Sequence, residues 1–99
     1  MSKAAITTHI LNLDAGKPAT GVKVLLFKAE NNKPIAGALT DGDGRILEWD
    51  TRFALESGVY HLQFLVGDWF IQQGRRSFYP EIKIAFAVAD TTEHYHVPL

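Results

Sequence analysis

Cysteine is absent from this 99-residue sequence, and serine is scarce. Without cysteine there can be no disulfide framework, no thiolate nucleophile and no cysteine-ligated zinc site. The serines are Ser2, Ser57 and Ser77; none lies in a Gly-x-Ser-x-Gly motif, and the sequence contains no P-loop or dinucleotide fingerprint. A hydrolytic activity would therefore use water as the nucleophile, activated by a histidine near neutral pH.

Strong charge and long apolar runs are also missing. The formal net charge is −1, which gives no electrostatic reason to expect a nucleic acid or an anionic membrane as a partner. No stretch approaches the ~20 apolar residues that cross a bilayer. The N-terminus lacks the apolar region of a signal peptide, and the C-terminus is not a Ser-Lys-Leu address. We therefore expect no membrane partner and a cytoplasmic location.

The composition is that of a folded globular chain. Hydrophobic residues make up 46% of the sequence and charged residues 21%. A chain of this length hides roughly two-thirds of its unfolded surface on folding, enough for one core. We predict a single domain that spans residues 1–99.

Short β-rich runs separated by turn residues dominate the pattern. Asn12–Pro18, Glu30–Pro34 and Asp41–Gly44 carry the turn chemistry. About seven short strands in a hundred residues predict an all-β, two-sheet sandwich. The predicted strands are Ala5–Leu11, Val22–Lys28, Ile35–Thr40, Arg45–Glu48, Gly58–Val66, Ile82–Ala89 and Glu93–Leu99.

Two segments are helix candidates. Asp68–Gln73 predicts one short helix, with Asp68 as its N-terminal cap and Gly74 closing it. Asp50–Ser57 is a weaker candidate that fits a turn equally well.

The histidines are the side chains best suited to chemistry in this sequence. His94 and His96 share one face of their predicted strand, because side chains alternate along a strand. His9 shares a face with Thr7 on the first strand. A single histidine is most often a surface or packed residue, and we interpret His61 in this way.

Two metal interpretations are possible and neither is favoured. His94 and His96 could ligate zinc with His9 as a third ligand, but this spacing is weak evidence, and hydrolytic zinc sites usually need a carboxylate base or second shell close by. Asp41-Gly42-Asp43-Gly44 resembles the start of a calcium loop, yet the required later glutamate and flanking helices are missing. We predict no metal site and interpret residues 41–44 as a Gly-rich turn.

Three segments together carry a family resemblance. Each is weak alone, but their order and spacing extend over nearly the whole chain. They are Thr8-His9-Ile10-Leu11-Asn12 with Gly16-Lys17-Pro18-Ala19, Thr40-Asp41-Gly42-Asp43-Gly44-Arg45, and Phe78-Tyr79-Pro80-Glu81-Ile82 with Phe86, Asp90 and His94-Tyr95-His96-Val97-Pro98-Leu99. The sequence resembles the 5-hydroxyisourate hydrolases of the transthyretin-like family.

The resemblance implies a fold, a reaction and a site. The fold would be a transthyretin-like β-sandwich, assembled as a homotetramer around a channel with active sites where two dimers meet. The reaction would be cofactor-free hydrolysis of 5-hydroxyisourate to 2-oxo-4-hydroxy-4-carboxy-5-ureidoimidazoline in urate breakdown. The family's catalytic and substrate-binding residues fall on His9, Arg45 and His96.

The resemblance also separates two functions. Transthyretin keeps the sandwich but lacks these two histidines and the arginine, which favours the hydrolase. The alternative is a non-enzymatic protein that binds a small ligand in the same channel. For the hydrolase, His9 or His96 would take a proton from water, Arg45 would stabilise the oxyanion, and the other histidine would protonate the leaving ring nitrogen. His94 would be a supporting or surface residue.

The family pattern continues beyond Pro98-Leu99 into a last edge strand that ends in Tyr-Arg-Gly-Ser and contributes to the substrate pocket. The sequence stops at Leu99, so the resemblance implies a sandwich without this strand. Either the 99 residues are a piece from which the tail is missing, or the protein is a natural degenerate copy of the family pattern. We favour the first interpretation, because His9, Arg45 and His96 are all present. Full activity of these residues alone is not implied.

Overall fold

The computed structural model of the protein describes residues 5–12, 17–31, 33–72, 74 and 80–99. These residues form nine strands and one helix. The strands are β1 (Ile6–His9), β2 (Leu11–Asn12), β3 (Lys17–Pro18), β4 (Lys23–Lys28), β5 (Ala36–Leu39), β6 (Arg45–Ile46), β7 (Gly58–Phe64), β8 (Ile82–Val88) and β9 (Tyr95–Pro98), and the helix is α1 (Val66–Gln72).

Seven of these strands form the two sheets of a β-sandwich, and β2 and β3 form a separate two-stranded ladder. One sheet has the order β5-β4-β7-β8, and each of its neighbouring pairs is antiparallel. The other has the order β6-β1-β9, in which β6 is antiparallel to β1 and β9 is parallel to it. The predicted all-β two-sheet sandwich is confirmed.

The strands were predicted at the correct positions in the sequence, but the predicted runs extend beyond the ends of the observed strands. Each of the seven predicted runs contains a strand of the structure. The small β2–β3 ladder was missed, because its strands border and enter the segment 12–18 that we interpreted as a turn. Residues 13–16 of that segment lie outside the described residues.

The core lies between the two sheets and follows the alternation of side chains along each strand. In β7, Tyr60, Leu62 and Phe64 are at most 1% exposed, whereas the residues between them are half-buried. From the three-stranded sheet, Ile6 and Ile46 join the same cluster at 0% and 2% exposed. Both sheets therefore present one apolar face to the other.

The helix begins two residues earlier than predicted. Val66, not Asp68, is its first residue, and the amide of Trp69 donates to the carbonyl of Leu65. Asp68 is therefore not the cap but an acidic residue of the first turn, where its negative charge interacts favourably with the positive end of the helix dipole.

The predicted closure of the helix by Gly74 is confirmed. Gly74 has a φ of 72°, and its amide donates to the carbonyl of Ile71 at 2.9 Å. This is the left-handed geometry that glycine adopts at low cost. Gln73, the predicted last helical residue, lies outside the described residues.

The weaker helix candidate, Asp50–Ser57, forms no helix. Asp50 is instead tied to β5: its amide donates to the carbonyl of Gly37, and its carboxylate accepts the Gly37 amide at 2.9 Å. This accepted hydrogen bond is the main reason that the pKa of Asp50 lies below its usual value.

Among the helices that the structure describes, none has the length and apolar character needed to cross a membrane.

Candidate active site

The centre of the candidate site is β1, the middle strand of the three-stranded sheet. His9 of β1 and Arg45 of β6 are direct cross-strand partners. Side chains of paired residues project from the same face of a sheet, so the imidazole and the guanidinium are neighbours there. The structure thus brings together two of the three predicted site residues.

The third predicted residue, His96, projects from the same face on the other side of β1. It is the cross-strand partner of Thr7, and its Nδ1 lies 2.9 Å from the hydroxyl of Thr7. Thr7 and His9 are two positions apart on β1 and share a face. His9 is therefore flanked by Arg45 on one side and, diagonally, by His96 on the other.

The opposite face of the same three strands is anchored in the core. Ile6, Thr8, Ile46 and Val97 are at most 9% exposed. The hydroxyl of Thr8 donates to the carbonyl of Val97 at 2.5 Å and so ties β1 to β9 on this side. The register that places the histidines is fixed because a slip by one residue would turn these buried groups outward.

The turn before β6 positions Arg45. The carboxylate of Asp41 accepts the amide of Asp43 at 2.8 Å and that of Arg45 at 3.0 Å. The amide of Asp41 also donates to the carbonyl of Arg45, and the carbonyl of Asp41 accepts from the amide of Gly44, whose φ is 74°. The predicted Gly-rich turn is thus observed, with the carboxylate of Asp41 used to hold the start of β6.

The site face is open in a single chain. Arg45, His94 and His96 are exposed and His9 is half-buried. Thr7 is the exception at 1% exposed. The hydroxyl of Thr7 lies 3.0 Å from Nε2 of His94 as well as close to His96, so both imidazoles meet at one buried polar group.

His61 lies elsewhere, on β7 of the four-stranded sheet. Its ring stacks on Phe27 with a centroid distance of 4.7 Å and an interplanar angle of 12°. Partial burial, with a smaller contribution from the charge of Lys83, holds the pKa of His61 below its usual value. The structure does not bring His61 to the other histidines.

The face combines two kinds of chemistry. Imidazoles can donate or accept a proton near neutral pH, and a guanidinium can stabilise a developing negative charge through its fork of donors. In the described ranges, no group of three or more His, Cys, Asp or Glu side chains is arranged to hold a metal ion.

Sequence reasoning missed two contributors to this face. Thr7 was noted only as a neighbour of His9, and the contact of its hydroxyl with both rings of the His94-Tyr95-His96 segment could not be foreseen. The contact depends on the parallel pairing of β1 with β9, and no pattern in the sequence indicates which strand pairs with β1. Asp41 was assigned to a turn, and its bond to the amide of Arg45 followed from no motif.

Comparison with known proteins gives a consistent family assignment. The sequence model of the HIUase/Transthyretin family matches residues 6–99. A probable 5-hydroxyisourate hydrolase of Schizosaccharomyces pombe is 40% identical, over 96% of this chain and 81% of that protein. A 5-hydroxyisourate hydrolase of Ralstonia nicotianae is 39% identical, over 95% of this chain and 86% of that protein.

Solved structures agree in fold. A structure of Klebsiella pneumoniae 5-hydroxyisourate hydrolase has a TM-score of 0.82 and 34% identity, and the match covers 99% of this chain and 87% of that one. Sea bream transthyretin in complex with thyroxine has a TM-score of 0.84 at 23% identity, with 96% of this chain and 84% of that one covered. The second likeness concerns the fold alone.

Proposed function

Because this chain belongs to the HIUase/Transthyretin family, we propose that it is a hydrolase that opens the ring of 5-hydroxyisourate. The relatives that match nearly all of the chain at 38–40% identity are named for this activity. The observation that carries the proposal is the pairing of His9 with Arg45 on the face that also holds His96. The product would be 2-oxo-4-hydroxy-4-carboxy-5-ureidoimidazoline, formed in urate breakdown.

The proposed roles follow from the chemistry of the three side chains. The imidazole of His9 or His96 removes a proton from water as the oxygen attacks a ring carbonyl of the substrate. Arg45 stabilises the negative charge that develops on the carbonyl oxygen. The C–N bond then breaks, and the other imidazole gives a proton to the departing ring nitrogen. Water is the only co-reactant that this sequence of steps consumes.

The alternative, a non-enzymatic small-ligand carrier, has less support. Its nearest counterpart here is the transthyretin likeness at 23% identity, which speaks to the fold only. A carrier needs no acid–base pair next to a guanidinium, whereas ring hydrolysis does. We therefore retain the hydrolase as the proposed function.

A spectroscopic assay tests the proposal directly. Freshly made 5-hydroxyisourate decays spontaneously, and its ultraviolet absorbance reports the decay. The purified chain is expected to accelerate this decay in proportion to its concentration. A folded chain, verified by circular dichroism, that leaves the spontaneous rate unchanged both alone and with the family's Tyr-Arg-Gly-Ser strand added would contradict the hydrolase assignment.

The homotetramer is part of the proposal. Arg45 and His96 are exposed in one chain, and a site that competes with bulk water benefits from cover. A second pair of chains facing the β6-β1-β9 sheet would supply that cover at the junction of two dimers. Light scattering should give the mass of four chains; a monomer with full activity would reject this arrangement.

A cytoplasmic location also stays a prediction. Fractionation of cells that express the protein, with detection by antibody, is expected to place it in the cytoplasmic fraction. Recovery in an exported fraction would contradict the prediction.

A further inference from the structure

The hydroxyl of Thr7 is shared by two imidazoles. Its Oγ1 lies 2.9 Å from Nδ1 of His96 and 3.0 Å from Nε2 of His94. Thr7 is 1% exposed, so the hydroxyl has its partners among protein groups. Of these three residues, only His96 has a role in the proposed chemistry, and Thr7 and His94 have none.

The two contacts of the Thr7 hydroxyl depend on each other, because the hydroxyl has only one hydrogen to donate. A hydroxyl has one hydrogen to donate and lone pairs to accept with, and a neutral imidazole carries one N–H. If Thr7 donates to Nδ1 of His96, then His94 must donate its Nε2–H to Thr7, and both rings are Nε2–H tautomers. If instead Nδ1–H of His96 donates to Thr7 and Thr7 donates to Nε2 of His94, both rings are Nδ1–H tautomers. Donation by both rings to Thr7 would leave the single hydrogen of this buried hydroxyl without an acceptor, so we favour the two arrangements with matched tautomers.

We propose that Thr7 is a positioning residue that joins His94 and His96 into one proton-sharing unit. This inference rests on the proposed function, in which His96 exchanges a proton with water or substrate. In the Nδ1–H arrangement, Nε2 of His96 carries no hydrogen and is the nitrogen that takes the proton. In the Nε2–H arrangement, the same nitrogen is the one that gives it.

The unit also moves charge away from the reacting atoms. When Nε2 of His96 takes a proton, its Nδ1–H passes to Oγ1 of Thr7 as the hydrogen of Thr7 passes to Nε2 of His94. His96 is left neutral with a hydrogen on Nε2, Thr7 is regenerated, and His94 becomes the imidazolium. His94 is exposed, so water can solvate the charge there.

The charge of Arg45 on this face favours such a transfer. The register pairs Arg45 with His9 and His96 with Thr7, and the amide of Tyr95 donates to the carbonyl of Ala5. His94, which precedes Tyr95, therefore lies further along the sheet from Arg45 than His96 does. Like charges repel, so the guanidinium of Arg45 favours movement of a proton from His96 towards His94.

Isosteric substitution of Thr7 tests the proposal. Thr7→Val keeps the β-branched shape and removes only the hydroxyl, and Thr7→Ser keeps the hydroxyl. We expect Thr7→Val to lower kcat by about tenfold with KM nearly unchanged and to shift the pH profile of kcat, and Thr7→Ser to restore both. Thr8→Val is the matched control, since it removes the neighbouring buried hydroxyl that bonds β9 on the core side.

A double variant separates coupling from general damage. If Thr7 and His94 act through one unit, Thr7→Val combined with His94→Ala should be no slower than the slower single variant. Losses that multiply would overturn the proposal. So would a Thr7→Val protein with the kcat and pH profile of the parent, or a Thr8→Val protein that changes the pH profile equally.

Nitrogen-15 NMR of the imidazoles tests the same unit without any assay of activity. At a pH where both imidazoles are neutral, His94 and His96 should show the same tautomer in the parent chain. In Thr7→Val, the tautomer of one ring should no longer depend on that of the other. One ring as the Nδ1–H tautomer with the other as Nε2–H would overturn the inference. Absence of hydrolysis with matched tautomers would instead reject the proposed function and leave the hydrogen-bonded unit standing.

Discussion

The two sheets of the sandwich share one core but differ in what surrounds a histidine on the outer face. In the four-stranded sheet, His61 has Phe27 and Ala85 as cross-strand partners and stacks on the phenyl ring. In the three-stranded sheet, His9 has Arg45 beside it and His96 diagonally across. We infer that the cross-strand neighbours of a histidine, and not merely its place on a strand, distinguish the candidates for proton transfer from a packed ring.

The largest expected effect is on turnover and concerns side chains of the three-stranded sheet. Arg45→Ala or His96→Ala should lower turnover by about 10²–10⁴-fold, because each removes a charge-stabilising or proton-transferring group. Both side chains are exposed, so the free energy of unfolding should change little. Ultraviolet decay of 5-hydroxyisourate measures the first effect and urea denaturation the second.

His61→Ala is the control for this pair, since it removes a histidine from the other sheet. Its turnover should stay within about twofold of the parent, well below the loss expected for a general acid–base group. Equal losses for His61→Ala and His96→Ala would remove the distinction between the two sheets.

The next prediction concerns the free energy of unfolding and compares a buried with an exposed leucine of the four-stranded sheet. Leu62 of β7 is 0% exposed, and Leu62→Ala should reduce the free energy of unfolding by about 2–5 kcal/mol through lost burial and the cavity left behind. Leu39→Ala, in the same sheet but at a position 61% exposed, should cost far less. Denaturation curves compare them, and similar midpoints for the two variants would contradict the assigned core.

A smaller effect is expected where the chain leaves the four-stranded sheet. A Cβ on Gly67 of α1 would lie 2.5 Å from the carbonyl oxygen of Pro80, so Gly67→Ala should destabilise the fold by about 1–3 kcal/mol. Gly42→Ala is the control, because nothing lies within 4 Å of a Cβ there. Thermal unfolding distinguishes the two, and an unchanged midpoint for Gly67→Ala would argue against this close approach.

The smallest expected effect concerns pH. The pKa of His61 is lowered in the folded chain by partial burial and by Lys83, so folding favours the neutral ring. Its contribution to stability is fully present above the unfolded pKa, near 6.5, and is lost as the pH falls through the lower folded pKa.

His61→Phe keeps an aromatic ring against Phe27 and removes the titration. Between about pH 8 and about pH 5, the parent should lose more unfolding free energy than this variant, and the variant should be the flatter of the two. A variant with the same pH dependence as the parent would show that His61 does not contribute.

Much of the fold could be predicted because β-rich runs and turn residues act locally. Gly74 could be assigned as a helix terminus from its position alone, and the structure confirms it. The start of α1 could not, because Val66 is drawn into the helix by packing of Val66 and Trp69 in the core, not by a capping side chain. The prediction of a single domain over residues 1–99 stays a prediction.

The candidate site could be named from the sequence only through a resemblance. Alternation along a strand relates His94 to His96 and Thr7 to His9, but it cannot relate the two strands to each other. That relation comes from the parallel pairing of β1 with β9, which depends on contacts across most of the chain. The catalytic roles of His9, Arg45 and His96 stay predictions until the substitutions are measured.

The parallel pairing of β1 with β9 also bears on how the protein is made. Thr7 and His96 are 89 residues apart, and the imidazole–hydroxyl contact needs both. A nascent chain on a ribosome has β1 early but lacks the site until residues 94–98 have left the exit tunnel. Contacts of such sequence separation also slow folding. This face can therefore be completed only after β9 has been synthesised.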